Sequence, residues 1–120
     1  MSYTFDNNIP IYIQLVDIVR VDIVSGELSV GSRLPSVREL AFYYKVNPNT
    51  MQKALVELEN EKLIYTERTN GKFVTSDSKV INKAKEKISK EKVNEYLSSM
   101  NSIGITYEES IKYLQELGGK

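Results

Sequence analysis

Residues 47–53 form a run of amide, hydroxyl and basic side chains that contains no carboxylate. The stretch after it is acidic, because Glu57, Glu59 and Glu61 occupy alternate positions. Asn and Gln can form paired hydrogen bonds to adenine, and Thr can contact a base or a phosphate. A helix with an acid-free first half and an acidic second half is suited to approach a polyanion with its first half. The run consists of Asn47, Pro48, Asn49, Thr50, Met51, Gln52 and Lys53.

Basic side chains lie on both sides of this run in the sequence. Arg33 and Arg38 precede it, and Arg68 and Lys72 bracket a turn that follows it. These four cations have the reach to contact phosphates or to enter a minor groove. The net charge of the whole chain is zero, so the evidence for an anionic partner comes from the local distribution of charge and not from the total.

Each of these features has a simpler explanation when it is taken alone. Residues 47–50 could serve only as a helix cap and a polar first turn. Arg38 could form a surface ion pair with Glu39 or Asp22. The lysine-rich segment 79–92 contains glutamates as well and is interpreted as a solvated helix face. For the acid-free run and the flanking cations, the predicted surrounding elements favour the DNA-binding interpretation.

Two short predicted helices position the acid-free run. Ser36 and Glu39 have the spacing of a capping box, which begins the first helix. After a tight connection, Asn47 is a good N-cap and Pro48 suits the first helical position, so the second helix runs to about Lys62. This spacing is typical of a helix-turn-helix, whose second helix presents its N-terminal residues to the major groove. The predicted inward residues are Val37, Leu40, Ala41, Met51, Leu55 and Leu58.

A β-hairpin is predicted directly after these helices. Residues 63–65 begin a strand, residues 69–71 have the composition of a hairpin turn, and residues 72–74 return. Gly71 is expected at a positive φ angle, where a side chain would be strained. A basic hairpin that follows a helix-turn-helix is interpreted as the wing of a winged helix.

The first helix is predicted over residues 9–24 and is expected to pack against these elements. One apolar stripe recurs every four residues and should be buried. Three further apolar residues lie off that stripe, which leaves room for a second contact such as a partner subunit. The stripe consists of Ile11, Leu15, Val19 and Ile23, and the residues off it are Ile13, Ile18 and Val21.

Two helices are predicted in the C-terminal part, beyond a polar boundary at residues 75–78. One runs from Val80 to about Met100 and is stopped by Gly104, and the next is opened by a capping box of Thr106 and Glu109. The last helix should turn Tyr107, Ile111, Leu114 and Leu117 inward. Two helices cannot bury such stripes by themselves, so they need either the first domain or, as the favoured partner, a second copy of the same tail. The predicted dimerisation residues are Ile88, Tyr96, Leu97, Met100, Ile111 and Leu114.

The composition excludes several functional classes. The chain of 120 residues contains no cysteine and no histidine, so thiolate metal sites and the commonest general base are missing. Without a glycine-rich phosphate loop, an enzyme is not expected, and neither is a cofactor. No apolar run is long enough for a membrane span and no signal-peptide pattern is present, so we expect a cytoplasmic protein without a membrane partner. A winged helix that binds only proteins is the alternative.

The ordered residues 26–41, 46–54, 63–65 and 71–74 resemble the GntR family of bacterial repressors. The short tail of two helices is similar to the YtrA-like branch of that family. The resemblance implies repression by a homodimer on double-stranded operator DNA with inverted symmetry, with any small-molecule effector unknown. Pro48 and Gln52 depart from the basic residues of many relatives, which affects the operator sequence but not DNA binding. The resemblance to the family also implies DNA contacts at Arg33, Arg38, Asn47, Asn49, Thr50, Gln52, Lys53 and the wing around Gly71.

The residue pattern and the resemblance together predict an α+β fold. A winged helix-turn-helix of three helices and a two-stranded β-hairpin is expected over residues 1–76, and a two-helix dimerisation tail over residues 77–120. The complete predicted DNA-binding set is Arg33, Ser36, Arg38, Asn47, Pro48, Asn49, Thr50, Gln52, Lys53, Arg68, Asn70, Gly71 and Lys72.

Overall fold

The structure is a computed structural model that describes residues 4–119. Over these residues the order of elements is three helices, a β-hairpin and two further helices, so the predicted α+β fold is confirmed. The elements are α1 (Ile11–Val24), α2 (Val37–Tyr44), α3 (Pro48–Asn60), β1 (Ile64–Glu67), β2 (Gly71–Val74), α4 (Ser78–Ser102) and α5 (Tyr107–Gly118).

The ends of the helices follow local chemistry. The helix α1 begins at Ile11, two residues later than predicted, because Pro10 occupies its N-cap position. The helix α2 ends at Tyr44, and its C-cap Lys45 has a left-handed φ of 58°. The helix α3 ends at Asn60, since Glu61 is its C-cap and Lys62 has a φ of 66°. These ends set the angles at which α3 leaves α2 and the hairpin leaves α3.

The hairpin pairs β1 and β2 in antiparallel register, with Thr66 opposite Lys72. A third backbone segment joins it on the other edge of β2. There the Leu34 N–H donates to the Lys72 carbonyl at 2.8 Å, and the Val74 N–H donates to the Ser32 carbonyl at 2.9 Å. Residues 32–34 of the loop between α1 and α2 are therefore tied to β2.

One hydrophobic core lies in the compact unit that ends at Ala84. The predicted inward residues of α2 and α3 lie in this core or pack against it, as expected. In α1 the stripe is buried except for Ile11, which is 45% exposed because it lies in the first turn, beyond the covering elements. The buried apolar residues are Leu15, Val16, Val19, Ile23, Leu34, Leu40, Ala41, Tyr44, Met51, Ala54, Leu55, Leu58, Leu63, Ile64, Val74 and Ile81.

The second compact unit begins at Lys85 and comprises the rest of α4 together with α5. No hydrophobic residue among 85–119 is buried, and Ser110 is the one buried residue there. Cover of the α5 stripe by a second copy stays a prediction, and in the single chain Tyr107, Leu114 and Leu117 are exposed. The reason is that one neighbouring helix segment cannot cover a second helix on its own.

The predicted domain boundary between residues 76 and 77 stays a prediction. The two compact units divide between Ala84 and Lys85, because Val80, Ile81 and Ala84 pack against the first core. Residues 1–3 and 120, which the predicted domains include, lie outside the described residues. Among residues 4–119, no helix has both the length and the apolar composition that crossing a membrane would require.

Candidate nucleic-acid interface

The acid-free run forms the first half of α3. The Asn47 side chain accepts a hydrogen bond from the Asn49 N–H at 2.8 Å, and Pro48 is the first helical residue, so the predicted cap is confirmed. This cap uses the side-chain oxygen of Asn47, and the side-chain NH2 group of Asn47 remains able to donate. Capping therefore does not prevent Asn47 from contacting a nucleic acid.

The buried face of α3 determines which side chains are presented outward. Met51, Ala54, Leu55 and Leu58 are buried at helical spacing against α1 and α2. This orientation leaves a row of polar side chains at the solvent-facing side of the first two turns. The exposed members of the predicted set on α3 are Pro48, Asn49, Gln52 and Lys53, with Asn47 exposed at the cap and Thr50 half-buried.

Lys53 contacts an aromatic ring that the sequence analysis did not single out. Its ammonium nitrogen lies 4.1 Å from the ring centroid of Tyr12, on α1. Such a cation–π contact restricts the lysine while leaving its charge on the surface. No signal in the sequence connects these residues, because the contact depends on the packing of α1 against α3.

The capping box of α2 leaves Arg38 unpaired among the described residues. The Ser36 hydroxyl accepts from the Glu39 N–H at 3.2 Å, and the Glu39 carboxylate accepts from the Ser36 N–H at 3.1 Å. The latter bond lowers the pKa of Glu39. Arg38 forms no salt bridge with Glu39 or Asp22, and Asp22 instead accepts a hydrogen bond from the Tyr44 hydroxyl at 2.7 Å. The exposed guanidinium of Arg38 is available to an anion.

The wing turn brings Arg33 beside Gly71. Gly71 has a φ of 99°, so the predicted positive angle is confirmed. A Cβ atom at Gly71 would lie 3.3 Å from Nε of Arg33, which leaves little room for a side chain. The Arg33 residue is exposed, and its backbone pairs with that of Phe73 in an antiparallel β-bridge. The structure therefore joins two predicted residues that lie far apart in the sequence.

The other predicted wing residues differ in their surroundings. Arg68 and Asn70 are exposed in the turn, where the Asn70 N–H donates to the Glu67 carbonyl at 3.2 Å. Lys72 is only 22% exposed, and its ammonium group lies 3.3 Å from a carboxylate oxygen of Glu59. Arg68 forms no ion pair among residues 4–119, whereas Lys72 is already paired within the chain.

Several aromatic side chains of the described residues are exposed at positions that the sequence pattern does not identify. Phe42, one turn after Arg38 on α2, is 86% exposed and was not singled out by its sequence position. Tyrosines at helical and strand positions usually serve packing, but among the described residues only Tyr44 is a fully buried tyrosine, while four others are exposed. Periodicity alone did not separate these positions, because α2 has aromatic residues on both its inner and its outer face. The exposed tyrosines are Tyr43, Tyr65, Tyr107 and Tyr113.

Three of the predicted dimerisation residues, Tyr96, Met100 and Leu114, line an open apolar cleft in the second unit. Its volume is about 540 Å³. Ile88, which lies outside the cleft, is half-buried, as are Tyr96, Leu97, Met100 and Ile111, while Leu114 is exposed. The Tyr96 hydroxyl donates to the Ser110 carbonyl at 2.7 Å and so links α4 to α5. The cleft is lined by Tyr96, Met100, Ile103, Ile105, Tyr113, Leu114, Leu117 and Gly118.

Sequence comparison relates this site to known regulators. Residues 11–74 match the profile of the family described as bacterial regulatory proteins, gntR family. The chain is 35% identical to the HTH-type transcriptional regulator YhcF of Bacillus subtilis, with 93% of each chain covered. It is 32% identical to the HTH-type transcriptional repressor YtrA of the same organism, covering 92% of this chain and 90% of that one.

Structural comparison extends the same relationship. A GntR family transcriptional regulator from Listeria monocytogenes superposes with a TM-score of 0.83 and 39% identity, covering 94% of this chain and 99% of the other. The DNA-binding domain of AraR, solved in complex with operator ORR3, superposes with a TM-score of 0.52 and 25% identity, covering 62% of this chain and 88% of the other. The matched family segment contains the helix-turn-helix and the wing described above.

Proposed function

This chain belongs to the GntR family of bacterial regulatory proteins, in its short YtrA-like branch, and from that premise we propose that it is a transcriptional repressor that binds an inverted-repeat operator as a homodimer. Members of this family are transcriptional regulators with a DNA-binding domain and are not enzymes. The proposal adds the direction of regulation, the dimer and the contact residues. It places the protein in the bacterial cytoplasm, where operator DNA is accessible.

The observation that carries the proposal is the exposed, acid-free first half of α3. Asn49 and Gln52 point away from the core and have the donors and acceptors for direct base contacts. Thr50, the N-cap Asn47 and the first helical residue Pro48 complete the end that enters the major groove, and the N–H groups at this end favour the phosphate oxygens beside the groove. Specific recognition is therefore assigned to this end of α3.

Phosphate contacts are assigned to the cations around it. Arg38 is exposed without an ion pair among residues 4–119, and Arg33 and Arg68 lie at the wing. Lys53 keeps its charge at the surface beside Tyr12. These side chains position the protein on DNA without reading its sequence. The proposed contact surface also includes the small polar side chains of Ser36 and Asn70 and the backbone of Gly71.

The second unit supports the proposed dimer. Its apolar side chains line a cleft instead of a core, and residues 85–119 contain no buried hydrophobic residue. A second copy of α4 and α5 would cover Leu114, Tyr96 and Met100 and would bring two winged domains onto two half-sites. Repression is proposed because YtrA, similar over nearly its whole length, is a transcriptional repressor.

The salt dependence of duplex binding tests this function. The probe is the duplex that the wild-type protein enriches most strongly from a randomised pool, and its affinity is measured at several salt concentrations. Each phosphate contact should contribute about −0.9 to the slope of log affinity against log salt. A slope near zero, or no enriched duplex, would instead favour a winged helix that docks proteins.

Two substitutions separate the assigned roles. Arg38→Ala should weaken binding to every duplex and leave the sequence preference unchanged, since a phosphate contact does not read bases. Gln52→Ala should relax discrimination at one position in each half-site, at a cost of roughly 1–3 kcal/mol for the preferred base. Equal loss of preference in both variants would contradict these roles.

A further inference from the structure

Three side chains join the far end of α3 to the wing. The Lys72 ammonium group donates to Oγ1 of Thr66 at 2.9 Å and lies 3.3 Å from Oε1 of Glu59. The Thr66 hydroxyl in turn donates to Oε2 of Glu59 at 3.0 Å. Every member of this Glu59–Thr66–Lys72 network thus contacts the other two.

The register of the hairpin explains how the network forms. Thr66 and Lys72 are directly opposite each other on β1 and β2, so their side chains lie on the same face. Glu59 reaches that face from the last turn of α3. The opposite edge of β2 is fixed by the Leu34 N–H bond to the Lys72 carbonyl. The backbone of Lys72 and its side chain therefore hold the wing from two directions.

The charge of Lys72 is locally balanced by this arrangement. Its side chain is 22% exposed, and the carboxylate of Glu59 lies within ion-pair distance. Arg68, on the other side of the turn, is exposed and has no ion pair among the described residues. A cation that is neutralised within the chain gains little from a phosphate, because an existing partner must first be released.

We propose that Lys72 is a positioning residue which, through Glu59 and Thr66, fixes the angle between the wing and α3, and that it is not a phosphate contact. This inference rests on the proposed DNA-binding function. It assigns Lys72 a role different from the direct DNA contact that the sequence pattern predicts. The two DNA-binding parts, the first half of α3 and the wing turn, then act as one rigid surface that is set in the free protein.

The effect of Glu59→Gln on DNA affinity distinguishes a positioning role from a purely electrostatic one. If Glu59 were only an acid near DNA, Glu59→Gln would strengthen binding, since a negative charge next to phosphates is removed. If Glu59 positions the wing, the same change weakens binding. We expect roughly two- to fivefold weaker binding for both Glu59→Gln and Lys72→Met, in the range of partly exposed ion pairs. Their salt slopes should equal that of the wild type, because the number of phosphates that the protein neutralises is unchanged.

The experiment uses the full chain and the enriched duplex described above. Affinities and salt slopes are measured for Glu59→Gln, Lys72→Met, and the exchanged pair Glu59→Lys with Lys72→Glu. The matched control is Arg68→Met, which should lower the magnitude of the slope by about 0.9 for each phosphate that Arg68 neutralises in the wild-type complex. The exchanged pair should recover most of the wild-type affinity, since it restores the ion pair with the same net charge.

A second measurement does not depend on DNA. Amide hydrogen exchange of residues 64–74 should accelerate in Glu59→Gln, Lys72→Met and Thr66→Val, and not in Arg68→Met. A lower salt slope for Lys72→Met, stronger binding by Glu59→Gln, or unchanged wing exchange would each overturn the proposal. If the wild-type protein bound no duplex, the proposed function would fail, and the exchange data would still decide whether the network holds the wing.

Discussion

The two compact units of this protein differ in where their apolar side chains lie. The unit that ends at Ala84 contains every buried hydrophobic residue of the described chain, whereas the unit that begins at Lys85 buries none among residues 85–119. Both have capped helices with apolar stripes, so helix formation alone does not distinguish them. Three helices and a hairpin can enclose a core, while two helix segments leave one side of each stripe open. The number of elements that meet therefore decides whether a unit can bury its own apolar residues.

The largest expected effect comes from removing the second unit. A chain ending at Ala84 keeps Ile81 against the first core, so it should fold and be monomeric by light scattering. Its affinity for an inverted repeat should fall about 10²- to 10⁴-fold, because the two half-sites lose their linkage. Leu114→Asp in the full chain should cause the same loss without shortening the backbone. A truncated chain that remained dimeric would move the interface to α1, where Ile13 and Val21 are exposed.

A pair of leucine substitutions compares the interiors of the two units directly. Leu58→Ala in the first core should lower the free energy of unfolding by roughly 2–5 kcal/mol, because it leaves a cavity. Leu117, which is 77% exposed, should matter only through a partner. The melting temperature of Leu117→Ala should therefore approach that of the wild type on dilution, as measured by circular dichroism. If the melting temperature of Leu117→Ala stayed below that of the wild type at every protein concentration, Leu117 would contribute to packing within the single chain.

Gly71→Val tests the wing turn of the first unit, which is proposed to face DNA. The residue has a φ of 99° and lies against Arg33, so a branched side chain should disturb the wing turn and reduce duplex affinity about tenfold, corresponding to about 1.4 kcal/mol. Gly26→Val is the matched control, since its φ is 87° and open space surrounds it. Both variants should stay dimeric. Normal DNA binding by Gly71→Val would show that the wing is not a DNA element.

The smallest expected effect is the loss of helix stabilisation at low pH, when the glutamates of the two capping boxes become protonated. Backbone N–H groups of Ser36 and Thr106 lower the pKa values of Glu39 and Glu109 below their ordinary 4.5. Each box therefore stabilises its helix above pH 4.5, and this contribution is lost as the pH falls through the lowered pKa. We expect α5 to fray before α2, because α2 is also held by buried Leu40 and Tyr44.

Residue-resolved NMR during an acid titration measures that difference. The amide signals of α5 should shift toward disordered positions at a higher pH than those of α2. Glu109→Gln keeps an acceptor in the capping box but cannot titrate, so the low-pH change in α5 should become smaller. Simultaneous loss of both helices would indicate that tertiary packing protects α5 as well as α2.

Most of the elements and their ends could be predicted from local residue chemistry. Ser36, Asn47 and Thr106 have side chains that cap helices through bonds to N–H groups two or three residues away, and Gly71 suits a turn that requires a positive φ. These interactions are local, so residue type and spacing were sufficient to predict them. The absence of histidine and cysteine likewise led to the prediction that the chain is not an enzyme, and its membership in a family of regulators confirms this.

Which of the predicted cations are free of ion pairs could not be predicted, because it depends on contacts between distant residues. Lys72 and Arg68 look equivalent in the sequence, yet Glu59 from α3 pairs with one and not with the other. Tyr12 reaches Lys53 for the same reason, through the packing of α1 on α3. Likewise, the burial of Ile11 was overestimated because an apolar stripe does not indicate what covers it. Contacts between residues far apart in the chain depend on how the elements pack, and no local pattern encodes that packing.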